Sequence, residues 1–220
     1  MKYFHELQEG VYDPNIFKAF FLAGGPGSGK SYVVRRTTGG LGLKVVNSDP
    51  HFERLIKDAG LSLRMPDAEF DSREPLRVRA KNVREKRKAN FIEGRLGMII
   101  DGTGKDADKL IRQSKGLMEL GYDTHMIFVN TSLDVALQRN SERPRSVPEP
   151  IVVNAWKDVQ KNIGQFTQHF RGNFVAVDNN DASEDELAKV WKIVRNLVGK
   201  KVVNTRAKNW IAMELSKKRK

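Results

Sequence analysis

The sequence contains no cysteine, which excludes disulfide bonds, thiol catalysis and cysteine-ligated metal sites. No apolar run approaches the roughly 20 residues that a helix needs to cross a membrane, and residues 1–6 lack the pattern of a signal peptide. We therefore expect a cytoplasmic protein without a membrane segment. The four histidines, His5, His51, His125 and His169, lack metal-ligand spacing, so we interpret them as structural or surface residues.

The net charge of the chain is strongly positive. Among 220 residues, 39 are Lys or Arg and 27 are Asp or Glu, for a net charge of +12. Such an excess favours polyanionic partners through counterion release, although a solubilising surface charge explains it equally well. The length fits one domain with an appendage. We predict a single domain over residues 1–199, whose residues 1–15 are a lead-in, and a basic C-terminal tail or helix over residues 200–220.

The most specific motif is G-x-x-x-x-G-K-[ST] at residues 24–31. Strand-like residues 16–22 precede it and residues 32–36 can open a helix, which is the context of a phosphate-binding loop. Glycines let the backbone curl around an anion, and the helix N-terminus adds positive charge. Lys30 is expected to reach the β- and γ-phosphates of a nucleotide, and the Ser31 hydroxyl to ligate Mg²⁺. The loop residues expected to cradle the phosphates are Gly25, Pro26, Gly27, Ser28 and Gly29.

The chain alternates short apolar segments with helical ones. Strands are predicted at residues 16–22, 43–47, 96–101, 124–129 and 173–178. Helices are predicted at residues 74–95, 107–120, 133–140 and 150–170, and a capping box at residues 183–186 opens another. This order predicts an α/β fold with a doubly wound parallel sheet of about five strands and helices on both faces. A ligand is expected at the carboxyl ends of the strands.

Two aspartates follow predicted strands. Asp49 ends the second strand and could accept a proton from a substrate hydroxyl, but Asp49-Pro50 is also ideal chemistry for a helix start, with Asp49 as the N-cap. Asp101 ends the third strand and resembles a Walker B carboxylate, which holds Mg²⁺ directly or through water. Gly102 follows it, where motor ATPases commonly have Glu, so a motor is disfavoured.

Basic residues concentrate in three segments. The predicted helix 74–95 could hold a phosphate backbone or the acceptor substrate, although a solvated surface explains most of its charges. Arg139, Arg143 and Arg145 lie in a proline-broken segment, where a lid could clamp a transferring phosphoryl group; a basic loop is the alternative. Residues 204–220 contain six Lys or Arg against one Glu and form a helix or a frayed tail that could touch nucleic acid.

Four of these motifs together carry a family resemblance. They are Gly24–Ser31, Val46–Asp49, Ile99–Thr103 and Arg139–Arg143. This set resembles the P-loop kinases grouped with zeta toxins and the 5′-kinase domain of bacteriophage polynucleotide kinase, over about residues 17–178. The resemblance implies a P-loop kinase-type fold with an arginine lid and ATP as the phosphoryl donor.

The resemblance also assigns roles to residues. It makes Asp49 the general base that activates the acceptor hydroxyl, and Arg143, with Arg139 beside it, the lid arginine that stabilises the migrating phosphoryl group. It places Asp101 and Thr103 near the acceptor and the metal. Polynucleotide kinases carry an arginine three residues after the base. This sequence has Phe52 there, and Arg54 is the nearby arginine that could substitute.

The leading hypothesis is an ATP- and Mg²⁺-dependent kinase that phosphorylates a hydroxyl of a nucleotide or the 5′-hydroxyl of a nucleic acid. A zeta-toxin-like kinase acting on a nucleotide sugar is the alternative within this class. A nucleic-acid-binding NTPase without a phosphoryl acceptor and a non-catalytic nucleotide sensor are alternatives of other classes. A regulatory GTPase is disfavoured because the sequence contains no N-K-x-D motif.

Overall fold

A five-stranded parallel sheet forms the centre of the fold. The computed structural model describes residues 10–143, 145–181 and 183–218. The strands are β1 (Lys18–Ala23), β2 (Lys44–Val46), β3 (Met98–Asp101), β4 (Asp123–Asn130) and β5 (Phe174–Asp178). Their order is β2-β3-β1-β4-β5, and each neighbouring pair is parallel. The predicted doubly wound parallel sheet is confirmed.

Helices connect the strands and cover the sheet. They are α1 (Lys30–Thr38), α2 (Asp49–Asp58), α3 (Phe70–Glu93), α4 (Ala107–Glu119), α5 (Leu133–Ser141), α6 (Glu149–Phe170), α7 (Glu184–Gly199) and α8 (Thr205–Lys218). Short 3-10 segments lie at Gly10–Tyr12, Asp67–Glu69 and Arg171–Asn173. The capping box that opens α7 is present between Ser183 and Glu186. Among the described residues, no helix combines the length and apolar character that crossing a bilayer requires.

The start of α3 differs from the prediction. The helix begins at Phe70 rather than near residue 74, and Pro75 lies inside it. A 3-10 turn at Asp67–Glu69 leads into the helix, and the buried Arg73 donates a hydrogen bond to the Pro66 carbonyl at 3.1 Å. Pro75 is the sixth residue of α3, so it removes one intrahelical hydrogen bond and crowds the Asp71 carbonyl; the contacts of the first turn continue the helix on its N-terminal side.

The sheet has an apolar layer on each face. Phe21 and Met126 contribute to the cluster that includes residues of α4, α6 and α8, whereas Phe20 and Ile127 contribute to the cluster that includes residues of α1 and α7. All six residues of β1 are buried. A parallel strand covered on both faces has no solvent side, which explains why β1 is apolar almost throughout.

The basic C-terminal segment is helical from Thr205 to Lys218 and packs against the core. Trp210 of α8 meets Phe17 edge-on, with ring centroids 5.5 Å apart, and Ala207 is buried. The Asp123 carboxylate pairs with Lys18 at 3.0 Å and accepts backbone hydrogen bonds from Val203 and Asn204, just before α8. The boundary predicted at residue 199 stays a prediction, and most of the predicted lead-in lies outside the described residues.

Candidate active site

The loop between β1 and α1 is shaped by close packing against its surroundings. Gly27 and Gly29 both have φ of +79°, and a Cβ atom would collide with the Ala136 carbonyl oxygen at Gly27 and with the Asn179 amide at Gly29. Only glycine adopts this backbone without strain or collision. α1 begins at Lys30, directly after the second of these glycines. The loop therefore opens onto a helix N-terminus, where the dipole favours an anion.

Lys30 lies at the mouth of this loop. Its Nζ donates hydrogen bonds to the carbonyl oxygens of Gly24 at 2.6 Å and Gly25 at 2.9 Å. Burial lowers the pKa of Lys30, and the Asp101 carboxylate acts in the opposite direction. An ammonium group that has lost part of its hydration gains most from a nearby anion, so this position favours a phosphate group.

Asn47 links Asp49, which lies after β2, to Asp101, the last residue of β3. Its Nδ2 donates to Asp101 Oδ2 at 2.6 Å, and its Oδ1 accepts from the Asp49 backbone N–H at 2.8 Å. The N-cap of α2 is Ser48 and Asp49 is the first helical residue, so the interpretation of Asp49 as the N-cap is wrong. The carboxylate of Asp49 is 54% exposed and pairs with Arg145.

Asp101 has the features of a metal ligand. Burial raises the pKa of its carboxyl group, while the Lys30 charge lowers it. Its Oδ1 is buried and has no hydrogen-bond partner among the described residues. Asp101 and Ser31 line the same cavity, and carboxylate and hydroxyl oxygens suit Mg²⁺. In the described part of the chain, no group of three His, Asp or Glu side chains could hold a metal, so an ion here would take its further ligands from water or phosphate oxygens.

The three arginines at the end of α5 and in the segment after it have different surroundings. Arg143 is exposed and lines the cavity. Arg145 also lines it, and its guanidinium bridges Asp49 at 2.8 Å and Glu53 at 3.1 Å. Arg139 is not among the cavity residues: it donates hydrogen bonds to the carbonyls of residues 179 and 180 at 2.6 and 2.8 Å. The structure therefore does not bring Arg139 to the position expected for a lid arginine.

Arg139 instead contacts the phosphate-binding loop indirectly, through Asn179. The Arg139 guanidinium donates to the Asn179 carbonyl, and the Asn179 side-chain amide donates to the Ser28 carbonyl at 2.8 Å. Arg139 and Asn179 thus connect α5, the end of β5 and the loop. This contact spans most of the chain, so no local pattern in the sequence indicated it.

The region around Phe52 also departs from the expectation. Phe52 is buried, and the Arg77 guanidinium lies over its ring at 5.1 Å. The Arg54 side chain is 80% exposed and lies 3.9 Å from Asp58, and it is not among the residues that line the cavity. The substrate role predicted for Arg54 therefore has no support from its placement.

The motif residues meet around one cavity of about 530 Å³ at the carboxyl ends of β1, β2 and β3. Thr103 lines it, and the Thr103 carbonyl accepts a hydrogen bond from the Gly24 N–H at 3.0 Å. The other predicted site residues on its wall are Pro26, Gly27, Gly29, Lys30, Ser31, Asp49, Asp101 and Arg143. The sequence did not single out Asn47, although it lies within the motif Val46–Asp49, and it gave Arg145 a possible clamping role but not the contact with Asp49.

Fold and site together define a P-loop phosphotransferase of the kinase type. The family model described as Zeta toxin matches residues 9–189, and the chain belongs to this family. No curated protein sequence matches the chain.

Solved structures of kinases share the fold. A candidate kinase from Chloroflexus aurantiacus is 15% identical, with a TM-score of 0.56, over 81% of this chain and 97% of that one. A shikimate kinase from Bacteroides thetaiotaomicron is 12% identical, with a TM-score of 0.51, over 83% and 99%. A chain of the Pnkp1/Rnl/Hen1 RNA repair complex is 21% identical, with a TM-score of 0.53, over 69% of this chain and 47% of its own. Identities this low show the fold alone.

Proposed function

We propose that the protein is an ATP- and Mg²⁺-dependent kinase that transfers the γ-phosphate of ATP to a hydroxyl of a nucleotide or to the 5′-hydroxyl of a nucleic acid. The observation that carries this proposal is the convergence of Lys30, Asp49 and Arg143 on one cavity. Phosphoryl transfer needs positioning and charge neutralisation more than covalent chemistry, and this cavity has groups for both. The cysteine-free sequence is compatible with a cytoplasmic location.

The donor half of the proposed site lies at the phosphate-binding loop. The N–H groups at the start of α1 and the Lys30 ammonium would hold the β- and γ-phosphates. Ser31 and Asp101 are the residues that would hold Mg²⁺, which when bound neutralises charge on the phosphate oxygens. Arg143 would neutralise the oxygens of the migrating phosphoryl group.

The acceptor half centres on Asp49. Its carboxylate would take the proton of the acceptor hydroxyl as the hydroxyl oxygen bonds to the γ-phosphorus and the bond from that phosphorus to the β-γ bridging oxygen breaks. ADP leaves with the electron pair of that bond. The Asp49 carboxylate is suited to this role because it is half-exposed and is not a helix cap.

Two features support a nucleotide or nucleic-acid acceptor. The cavity wall is rich in cations, and among the fold neighbours are a deoxyadenosine kinase solved with dATP and a chain of an RNA repair complex. The family match favours a second candidate, a zeta-toxin-like kinase that acts on a nucleotide sugar. Both kinds of acceptor carry phosphate groups.

The test is transfer of labelled γ-phosphate by an Asp49→Asn variant. Loss of a general base typically costs about 10²–10⁴-fold in rate, so transfer should fall by at least about a hundredfold while ATP binding, measured by calorimetry, stays unchanged. Asp58→Asn is the matched control, because Asp58 lies on the same helix, is 67% exposed and pairs with Arg54. Transfer retained by Asp49→Asn would exclude Asp49 as the base.

A further inference from the structure

A row of cations on α3 faces the cavity. Lys81, Arg84 and Lys88 lie three and four residues apart, so they share one face of the helix, and all three line the cavity. Lys105 and Lys109, from the segment after β3 and the start of α4, line it as well. We call these five residues the α3 wall. None of them belongs to the phosphate-binding loop or to the lid segment after α5.

The central members of the α3 wall are more enclosed than ordinary surface cations. The side chains of Arg84 and Lys88 are 28% and 15% exposed. Glu85 is the acid beside them: it accepts from Arg84 Nε at 3.0 Å and lies 3.9 Å from Lys88 Nζ. Burial lowers the pKa of Lys88; the Glu85 charge opposes this, and the Arg84 and Lys109 charges add to it. Such a cluster gains stability when an anion binds.

The charge of the cavity exceeds what the donor nucleotide requires. Eight cationic and four acidic side chains line it, and an ATP–Mg²⁺ complex carries a net charge of only about −2. Lys30 and Arg143 flank the expected position of the γ-phosphate, and Arg145 is paired with Asp49 and Glu53. The surplus positive charge therefore lies on the α3 wall.

We propose that the α3 wall binds phosphate groups of the acceptor, so that the enzyme selects acceptors that already carry a phosphate ester or diphosphate over neutral nucleosides and sugars. This inference rests on the proposed kinase function for its acceptor, but not for the anion site itself. A charged pair in a partly enclosed cavity is screened less by salt than one at an open surface. Arg84 and Lys88 are therefore the residues expected to determine specificity.

The experiment measures binding to the 220-residue protein saturated with a non-hydrolysable ATP analogue and Mg²⁺. One arm compares uridine with uridine monophosphate, which differ only by a phosphate, and a second compares uridine and N-acetylglucosamine with UDP-N-acetylglucosamine, which joins the two through a diphosphate. A short 5′-hydroxyl oligonucleotide forms a third arm, so the arms distinguish a free nucleotide, a nucleotide sugar and a nucleic-acid strand as the source of the phosphate. In at least one arm, the phosphate-bearing probe should bind at least about tenfold more tightly than uridine or N-acetylglucosamine.

The variant Lys88→Ala should weaken the binding of the phosphate-bearing probe about tenfold and leave the affinity for the neutral probes unchanged. Lys88→Arg should restore most of the lost affinity. Lys86→Ala is the matched control, because Lys86 is exposed on the same helix and is not among the cavity residues. Thermal melts of each variant verify that the fold is intact.

Equal affinity for charged and neutral probes would overturn the inference, and so would equal effects of Lys88→Ala and Lys86→Ala. The two proposals fail in different ways. If the wild-type protein binds phosphate-bearing probes through Lys88 but transfers no label to any of them, the kinase proposal fails and the anion site stands. If label moves to neutral acceptors as efficiently as to phosphate-bearing ones, the role proposed for the α3 wall is overturned, whereas phosphoryl transfer from ATP by Lys30 and Asp49 stands.

Discussion

Arg145 Nη2 lies 2.8 Å from Asp49 Oδ2, and the same guanidinium lies 3.1 Å from Glu53 Oε1 through its Nε. This contact joins the segment after α5 to the first turns of α2. It fixes the carboxylate that we propose as the general base at the wall of the cavity. A carboxylate positioned in this way loses less freedom when the acceptor hydroxyl arrives.

Removal of this contact should therefore slow transfer. Arg145→Ala is expected to lower kcat about tenfold, because Asp49 would no longer be held in one orientation, and to leave ATP affinity unchanged. Arg54→Ala provides the comparison: Arg54 lies on the same helix as Asp49 but is 80% exposed, so its loss should change kcat less than about twofold. Steady-state kinetics would contradict this account if the two variants behaved alike.

The ionised carboxylate of Asp101 should lower the stability of the folded protein and yet be required for activity. Because burial raises its folded-state pKa above the unfolded value, the ionised carboxylate reduces stability at neutral pH, and the cost disappears as the pH falls through the folded-state pKa. Asp101→Asn is therefore expected to raise the Tm of the metal-free protein at pH 7 while transfer falls by at least about tenfold. Asp108→Asn, at an exposed position nearby, should do neither. A lower Tm for Asp101→Asn would contradict the expectation that the buried carboxylate destabilises the fold.

His125 should make stability depend on pH. It is 3% exposed, stacks on Phe20 with ring centroids 4.7 Å apart, and burial is the main cause that lowers its pKa from 6.5 to about 4. The folded state therefore disfavours the charged ring, so the full stability is present above about pH 6.5 and is lost as the pH falls toward 4. The loss is about 3 kcal/mol. Urea unfolding at pH 7 and pH 5 should show a smaller difference for His125→Phe than for the wild type.

The packing of α8 should contribute to global stability. Trp210 packs on Phe17 and belongs to the edge of the core cluster, whereas Met213 of the same helix is 56% exposed. Trp210→Ala should lower the free energy of unfolding by about 2 kcal/mol, less than for a fully buried aromatic, and Met213→Ala by less than about 0.5 kcal/mol. Equal effects in urea unfolding would show that α8 does not stabilise the fold through Trp210.

Local patterns predicted the sheet and the phosphate-binding loop because each is encoded over a few residues. The glycines of residues 24–31 and the apolar segments that precede Asp49 and Asp101 are visible in the sequence itself. The start of α3 was harder to predict from the sequence, because its first turn includes the contact between Arg73 and the Pro66 carbonyl.

The roles of the arginines could not be separated in the same way. Arg139, Arg143 and Arg145 have the same local signal, but the first is held by the carbonyls of residues 179 and 180, and the last by Asp49. These partners lie far away in the sequence and become neighbours only in the folded sheet. The sequence could not decide which residue is the N-cap of α2, because Ser48 and Asp49 are both residue types that favour that position.

The most direct test of the proposed function is a transfer assay with γ-labelled ATP and Mg²⁺. The acceptors are 5′-hydroxyl DNA and RNA, nucleoside monophosphates, nucleosides and UDP-N-acetylhexosamines, and Lys30→Ala serves as the blank. The proposed function predicts that label moves to one class of phosphate-bearing acceptor and that this transfer is lost in Lys30→Ala and Asp49→Asn. Label released only as free phosphate, at a rate that rises with nucleic acid and does not depend on Asp49, would contradict it and indicate an NTPase instead.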